Sequence, residues 1–278
     1  MKTGVFWHDI FAKSSWPVIG NKFENFPKVM EWALKLEGVK LFTPNKVSWE
    51  VLSKIHDKTV LDDLKNAWYC EGALHSVSGC IEAATKILKG ELVNALVFDV
   101  AAGHHAGPSH VWGGTYVSCN GPTVVSLREK FGRGRYAILD TDSHHGDGDR
   151  AVFMGDRDVL HVCFCGNSKV EDEGTKICVD SGYDTSNEEY LGKVEREFIP
   201  RIRSFKPNII FHLLGHDTAQ GDYGDRGLTE PFYLELVEMV KSCAEENCGG
   251  KYTIITHGGS RKDLSEYIFP KVVEILAR

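Results

Sequence analysis

Residues 136–149 read Y-A-I-L-D-T-D-S-H-H-G-D-G-D, and no other stretch restricts the possible folds as much. Four apolar or aromatic residues at 136–139 lead directly into Asp140, Asp142 and His144 at alternate positions. Alternation is the side-chain period of an extended strand, so all three are expected to leave the strand end on one side. Two carboxylates and an imidazole converging at the tip of a buried strand repel or go unpaired unless positive charge lies between them, and a divalent metal meets that need. Asp147, with Gly146 and Gly148, then turns the chain sharply. Taken alone, the same residues also fit a polar loop whose aspartates cap the following helix.

The surrounding pattern decides what kind of sheet this strand joins. Apolar runs at 4–7, 39–42, 95–100, 159–165, 208–215 and 252–256 read as strands. Segments at 27–36, 48–55, 73–88, 122–130, 188–203, 229–245 and 263–277 read as helices, with a further one starting at Asp57. Strand and helix alternate without a linker or a repeat. The expectation is therefore one α/β domain over 1–278, with three αβα layers around a mostly parallel central sheet. A hydrophobic share of 42% with 26% charged residues fits such a globular chain and sets aside disordered and coiled-coil classes.

In sheets of this kind ligands bind beyond the carboxyl ends of the strands. Each polar cluster of the chain lies at such an end. The run 95–100 is followed by Gly103-His104-His105-Ala106, and the run 208–215 by His216 and Asp217. One such cluster is weak evidence, but three from one sheet point to an active site.

The composition narrows the partners. A net charge of −7 argues against a nucleic-acid-binding surface, and Lys130, Arg133 and Arg135 read as a solvated helix C-terminus. No window is apolar enough to enter a membrane. Eight cysteines lie scattered without a C-x-x-C pair. With no secretory leader pattern, they indicate free thiols and a cytoplasmic location.

The order G-H-H-A, D-T-D-S-H-H-G-D-G, G-H-D-T-x-x-G-D resembles the zinc-dependent histone deacetylase superfamily and its arginase-like fold, over roughly 56–259. The resemblance implies that Asp142, His144 and Asp217 bind Zn2+, with Fe2+ as an alternative. It makes His104 and His105 the paired histidines beside the attacking water, and Asp140 and Asp147 their carboxylate partners. The chemistry agrees with this allocation. An Asp2His set leaves a coordination position open, as catalytic zinc requires. Two carboxylates weaken the ion as a Lewis acid, so a base such as His105 is needed to take the water proton and pass it to the leaving amine. A carboxylate behind each imidazole fixes its tautomer. The implied activity is hydrolysis of an acyl amide, in the simplest case acetyl, on a small-molecule or peptide amine.

The chain also departs from the family pattern. Near the end, deacetylases carry a glycine-rich turn followed by a tyrosine that polarises the substrate carbonyl, whereas this chain reads T-H-G-G-S and puts Ser260 there. With Ser260 alone the oxyanion leans on the metal, and plain acetyl amides are expected to be slow substrates. His257, Arg261, Tyr116 and Tyr223 are the possible substitutes. The same departure keeps open an alternative, a catalytically weakened or non-catalytic metal-containing binding protein. An arginase-like ureohydrolase needs two metals and further Asp/His pairs that the sequence does not supply. Cys163 stands where many members have a serine that helps hold a monovalent cation, which leaves a monovalent cation here an open question. Trp112 and Tyr116, in a Gly/Pro-rich segment, read either as the substrate entrance or as a structural loop. The oligomeric state is not legible.

Overall fold

The computed structural model describes residues 2–278. Its nine strands are β1 (Thr3–Phe6), β2 (Val39–Phe42), β3 (Asn94–Val97), β4 (Tyr136–Asp140), β5 (Val159–Cys165), β6 (Lys169–Glu171), β7 (Lys176–Asp180), β8 (Ile209–Leu214) and β9 (Tyr252–Thr256). They form one sheet in the order β2-β1-β3-β9-β8-β4-β5-β7-β6, parallel except for the β6–β7 pair at one edge. The expected α/β architecture with a mostly parallel central sheet is thus the observed one.

The inner strands are apolar on both faces because helices cover both. In β4, Tyr136 and Ile138 pack into the layer under the helices Cys70–Leu88 and Asn120–Phe131, while Ala137 and Leu139 pack into the opposite layer. That second layer is closed by Asn187–Glu197, Glu230–Cys248 and Lys262–Ala277.

Register matters most for the site. Asp140 pairs with Leu213, Leu213 with Ile255, and Ile255 with Val97. Four consecutive strands, β4, β8, β9 and β3, therefore end level with one another. The loops that follow them open at the same edge of the sheet, where the three polar clusters of the sequence lie.

Several elements differ from the sequence expectation. The 188–203 helix is two, Asn187–Glu197 and Ile199–Phe205, because Pro200 has no amide hydrogen to continue the first. The 27–36 helix is a short 3-10 segment, Lys28–Met30, followed by one α turn, Glu31–Leu34. The β6–β7 hairpin was not expected, since its strands are short and carry no long apolar run. Ser48 and Asp57 cap their helices as expected, accepting from the amides of Val51 and Val60. No helix among the described residues is long and apolar enough to cross a membrane.

Candidate active site

The strand of β4 stops at Asp140, and from there the chain winds around its own carboxylates. Asp140 Oδ1 accepts from the amide of Asp142 (3.2 Å), and Asp142 Oδ1 from the amide of His144 (3.0 Å). The alternation read from the sequence therefore ends at Asp140, and the three side chains do not form one group. Asp142 and His144 join Asp217 from the end of β8: His144 Nδ1 lies 3.0 Å from Asp142 Oδ1 and 3.1 Å from Asp217 Oδ2. Asp140 instead lies behind His104, its Oδ2 2.7 Å from His104 Nδ1.

The Asp142, His144 and Asp217 donors could hold a metal ion, since all lie within 4.8 Å of one another. Ligands of a tetrahedral zinc with nitrogen and oxygen donors are separated by about 3.4 Å, a few tenths from the spacings seen. Both carboxylates are buried, and one imidazole is scant compensation for two such charges. The strain registers in the acidities. Burial and the neighbouring Asp142 push the Asp217 carboxyl up to about 6, while hydrogen bonds to the two carboxylates push His144 up to about 10. The donor set thus fits a divalent cation. Second contacts aim it: Ser143 Oγ donates to Asp217 Oδ2 at 2.5 Å, and the Gly258 amide to Asp142 Oδ2 at 3.0 Å. A Cβ on Gly258 would stand 2.2 Å from that same oxygen, which explains the glycine there.

The paired histidines arrive on the loop after β3. Their rings are 4.1 Å apart. His105 Nδ1 lies 2.7 Å from Asp147 Oδ1, and the indole of Trp112 donates to Asp147 Oδ2 at 2.9 Å. Asp147 opens the helix Asp147–Phe153, where the sequence reading stopped at a sharp turn. That helix docks directly against the histidine loop, with the Asp149 amide donating to His104 O at 3.0 Å. A Cβ on Gly148 would come within 2.4 Å of the Ala106 nitrogen, so only glycine allows this approach.

The two imidazoles differ electrostatically. Burial lowers His104, but Asp140 and Asp142 outweigh it and hold it at about 9. Burial and the charge of His104 press His105 down to about 4. Their surroundings thus push the two imidazoles in opposite directions, His104 up and His105 down. His104, Asp142 and His257 also lie within ligand distance of one another, and His104 Nδ1 is already engaged by Asp140.

A cavity of about 240 Å³ stands over these groups, lined among others by His105, Trp112, His144, Tyr223 and His257. Trp112 is therefore both entrance wall and support for Asp147, while Tyr116 stacks on Tyr69 at 3.9 Å and is not part of the lining. Ser260 is exposed and donates to Asp222 Oδ1 at 2.8 Å. The Arg261 guanidinium is taken up by Asp263 and the Gln220 carbonyl. His216 lies beneath the Gly259 turn against Phe269, its ring 5.9 Å away, and does not join the cluster.

Tyr223 is different. Its hydroxyl accepts from the Gly259 amide at 2.7 Å. The point where a Gly258 Cβ would stand is 2.9 Å from that oxygen and 2.2 Å from Asp142 Oδ2. A tyrosine from the loop after β8 thus brings its hydroxyl beside the turn to which the sequence assigned Ser260.

Lys22 carried no signal in the sequence. It is wholly buried, donating through Nζ to the carbonyls of His257 and Gly258. Burial lowers it to about 8 against the pull of Asp217, Asp222, Asp142 and Asp99. It is a fixed positive charge beneath a markedly acidic site.

Fold and site together define a class, the deacetylases built on a parallel sheet with an acidic, histidine-lined pocket at its carboxyl edge. The chain belongs to the histone deacetylase domain family, whose model matches residues 28–276. A probable deacetylase of Archaeoglobus fulgidus is 28% identical, with 93% of this chain and 81% of that protein covered. A histone deacetylase-like amidohydrolase of Pseudomonas aeruginosa is 26% identical, covering 71% of this chain and 56% of its own length. The solved HDA15 HD domain superposes with a TM-score of 0.86 at 19% identity, over 99% of this chain and 89% of that one, a likeness of fold. The chain spans just over half of the Pseudomonas relative and 38% of histone deacetylase 15 of Arabidopsis thaliana.

Proposed function

We propose that this deacetylase-family chain is a zinc-dependent amidohydrolase that removes an acyl group, most simply acetyl, from a small-molecule or peptide amine. The observation that carries the reading is the pair of His–Asp contacts, His104–Asp140 and His105–Asp147, each 2.7 Å, beside the Asp142–His144–Asp217 group. A protein that only bound ligands would have no use for two imidazoles each backed by its own carboxylate.

Asp142, His144 and Asp217 would hold Zn2+ or Fe2+. When bound, the ion supplies Lewis acidity toward water and the substrate carbonyl. The remaining work falls to the chain. His105, neutral and fixed by Asp147 with its Nε2 free, takes the proton of the attacking water and hands it to the departing amine nitrogen. His104, kept cationic by Asp140, offsets the negative charge that builds up beside it. Tyr223 donates its hydroxyl proton, unused by any contact of the folded chain, to the developing oxyanion, the role that Ser260 is too short and too far turned outward to fill. The apolar flank of Trp112 keeps bulk water from His105.

The test is His105→Ala on a panel of acetylated lysine peptides and acetylated polyamines. Turnover should fall by at least 10²-fold, on the order expected for a lost general base, while bound zinc stays at the wild-type level. A variant with wild-type turnover would remove His105 from the mechanism.

A further inference from the structure

Behind the candidate active site, on the side of β5 away from the main core, the period-two alternation of the strands lines up Cys163, Cys165 and Cys178, which pack against one another as a separate cluster. Cys163 and Cys178 are direct partners across the parallel β5–β7 pair. The neighbouring positions Val162, Phe164, Ile177 and Val179 face the other way, into the apolar layer. The thiols are therefore segregated on one face, and the half-buried His145 turns its ring onto them.

We propose that His145, Cys165 and Cys178 form a second metal site, one for a thiophilic d10 cation such as Zn2+, distinct from the oxygen-rich group. His145 Nδ1 lies 3.5 Å from Cys178 Sγ and 3.8 Å from Cys165 Sγ. In a tetrahedral zinc site with Zn–S near 2.3 Å and Zn–N near 2.05 Å, a nitrogen and a sulfur are about 3.6 Å apart. The three donor atoms all lie within 4.8 Å of one another. The nitrogen–sulfur spacings are thus those of three ligands of a tetrahedral site.

Charge and access are consistent with this assignment. Zn2+ displaces the two thiol protons to solvent, while the imidazole binds as the neutral base, so two thiolates and the dication cancel. The Arg150 guanidinium, 2.9 Å from Cys178 Sγ, favours the thiolate, and its own charge is met by Glu171 at 2.9 Å. His145 also lines a surface cleft with Gly166, Asn167, Tyr183 and Arg226, which gives an ion an entry path. Cys163 stays outside the set. Its sulfur accepts from the Gly146 amide at 3.4 Å and faces the His144 carbonyl at 3.7 Å. A cation held by His145 ties the turn carrying His144 to β5 and β7.

Soft and hard sites can be told apart by cobalt. Reduced, metal-free protein titrated with Co2+ under anaerobic conditions should take up two equivalents. One of them should give the near-ultraviolet thiolate-to-cobalt charge-transfer band that an Asp2His site, having no sulfur, does not produce. The band should persist in Asp217→Ala, which empties the other site, and should vanish in the Cys165→Ala/Cys178→Ala protein with one equivalent of cobalt retained. His145→Ala, which leaves both thiols in place, should weaken cobalt binding at least tenfold and alter the band. Absence of the band in the wild type overturns the proposal, as does a band that survives in the double variant, which would assign it to one of the other buried thiol groups, Cys80–Asp99–Cys119 or Asp140–His161–Cys163. Should the double variant fold poorly, His145→Ala decides in its place: an unchanged band and unchanged cobalt affinity in that variant overturn the proposal.

Discussion

Replacing Tyr223 with phenylalanine removes one oxygen and leaves the ring packed 5.8 Å from His144. Two losses follow from the contacts of that oxygen. The first is the donor to the oxyanion, a group whose removal elsewhere costs about 10²-fold to 10³-fold in kcat, or roughly 3–4 kcal/mol of transition-state stabilisation. The second is the acceptor for the Gly259 amide, which leaves a buried N–H unpaired at about 1–3 kcal/mol of folding stability. These separate in the assay. Steady-state kinetics on a matched pair of acetyl and trifluoroacetyl lysine amides isolates the first, because the electron-poor trifluoroacetyl carbonyl depends less on a hydrogen-bond donor. The expected result is a drop of about 10²-fold or more in kcat on the acetyl amide, a clearly smaller drop on the trifluoroacetyl amide, and unchanged zinc content. Wild type should turn over the plain acetyl compound efficiently, in contrast to the slow rate expected if Ser260 were the whole story. Ser260→Tyr, pointing outward from its place on Asp222, should add nothing. An acetyl-amide kcat within a few-fold of wild type in Tyr223→Phe would refute the role.

Two further substitutions probe the scaffold beneath the site. Lys22→Met takes a buried cation away from Asp142, Asp217 and Asp222 and leaves the carbonyls of His257 and Gly258 without their donor, and should lower stability in metal-free protein by about 1–3 kcal/mol; an unchanged melting temperature would show that the charge is not needed there. His212, buried between Thr141 Oγ1 at 2.9 Å and the Tyr252 hydroxyl at 2.6 Å, is held by burial down to about 3. Its folded pKa is below the unfolded value of 6.5, so the unfolded chain binds the extra proton and stability falls as pH drops from 6.5 toward 3, by up to about 1.4 kcal/mol per pH unit. Denaturant titrations at pH 6.5 and pH 5 should therefore show His212→Gln losing about 1.6 kcal/mol less than wild type over that interval; equal losses would contradict the assignment.

Much of this was readable in the chain because strands advertise themselves by apolar runs and catalytic groups by their position just after them. β5 and β9 span the residues expected, and the histidine pair, Asp142, His144 and Asp217 meet at one edge. What escaped depended on contacts between segments far apart in sequence. Strand alternation alone groups Asp140 with Asp142, since period two does not reveal where the strand ends, whereas the family resemblance places Asp140 behind the histidine pair, where it lies 2.7 Å from His104 Nδ1. Tyr223 was one of four possible donors, and only the packing of the loop after β8 against the Gly258–Gly259 turn singles it out. Lys22, in a stretch without periodicity, reaches its partners more than two hundred residues away. The cysteines lacked a C-x-x-C signal because strand register, rather than a tight loop, brings them together.

The most direct test of the account is zinc reconstitution in the Cys165→Ala/Cys178→Ala protein, where the oxygen-rich group is the only site proposed. Chelated protein should lack amidase activity on an acetylated lysine peptide, and activity should rise linearly and saturate at one equivalent of Zn2+, whereas Asp217→Ala in the same background should stay inactive. Full activity in the chelated protein, or a requirement for two equivalents, would contradict a mechanism built on Asp142, His144 and Asp217.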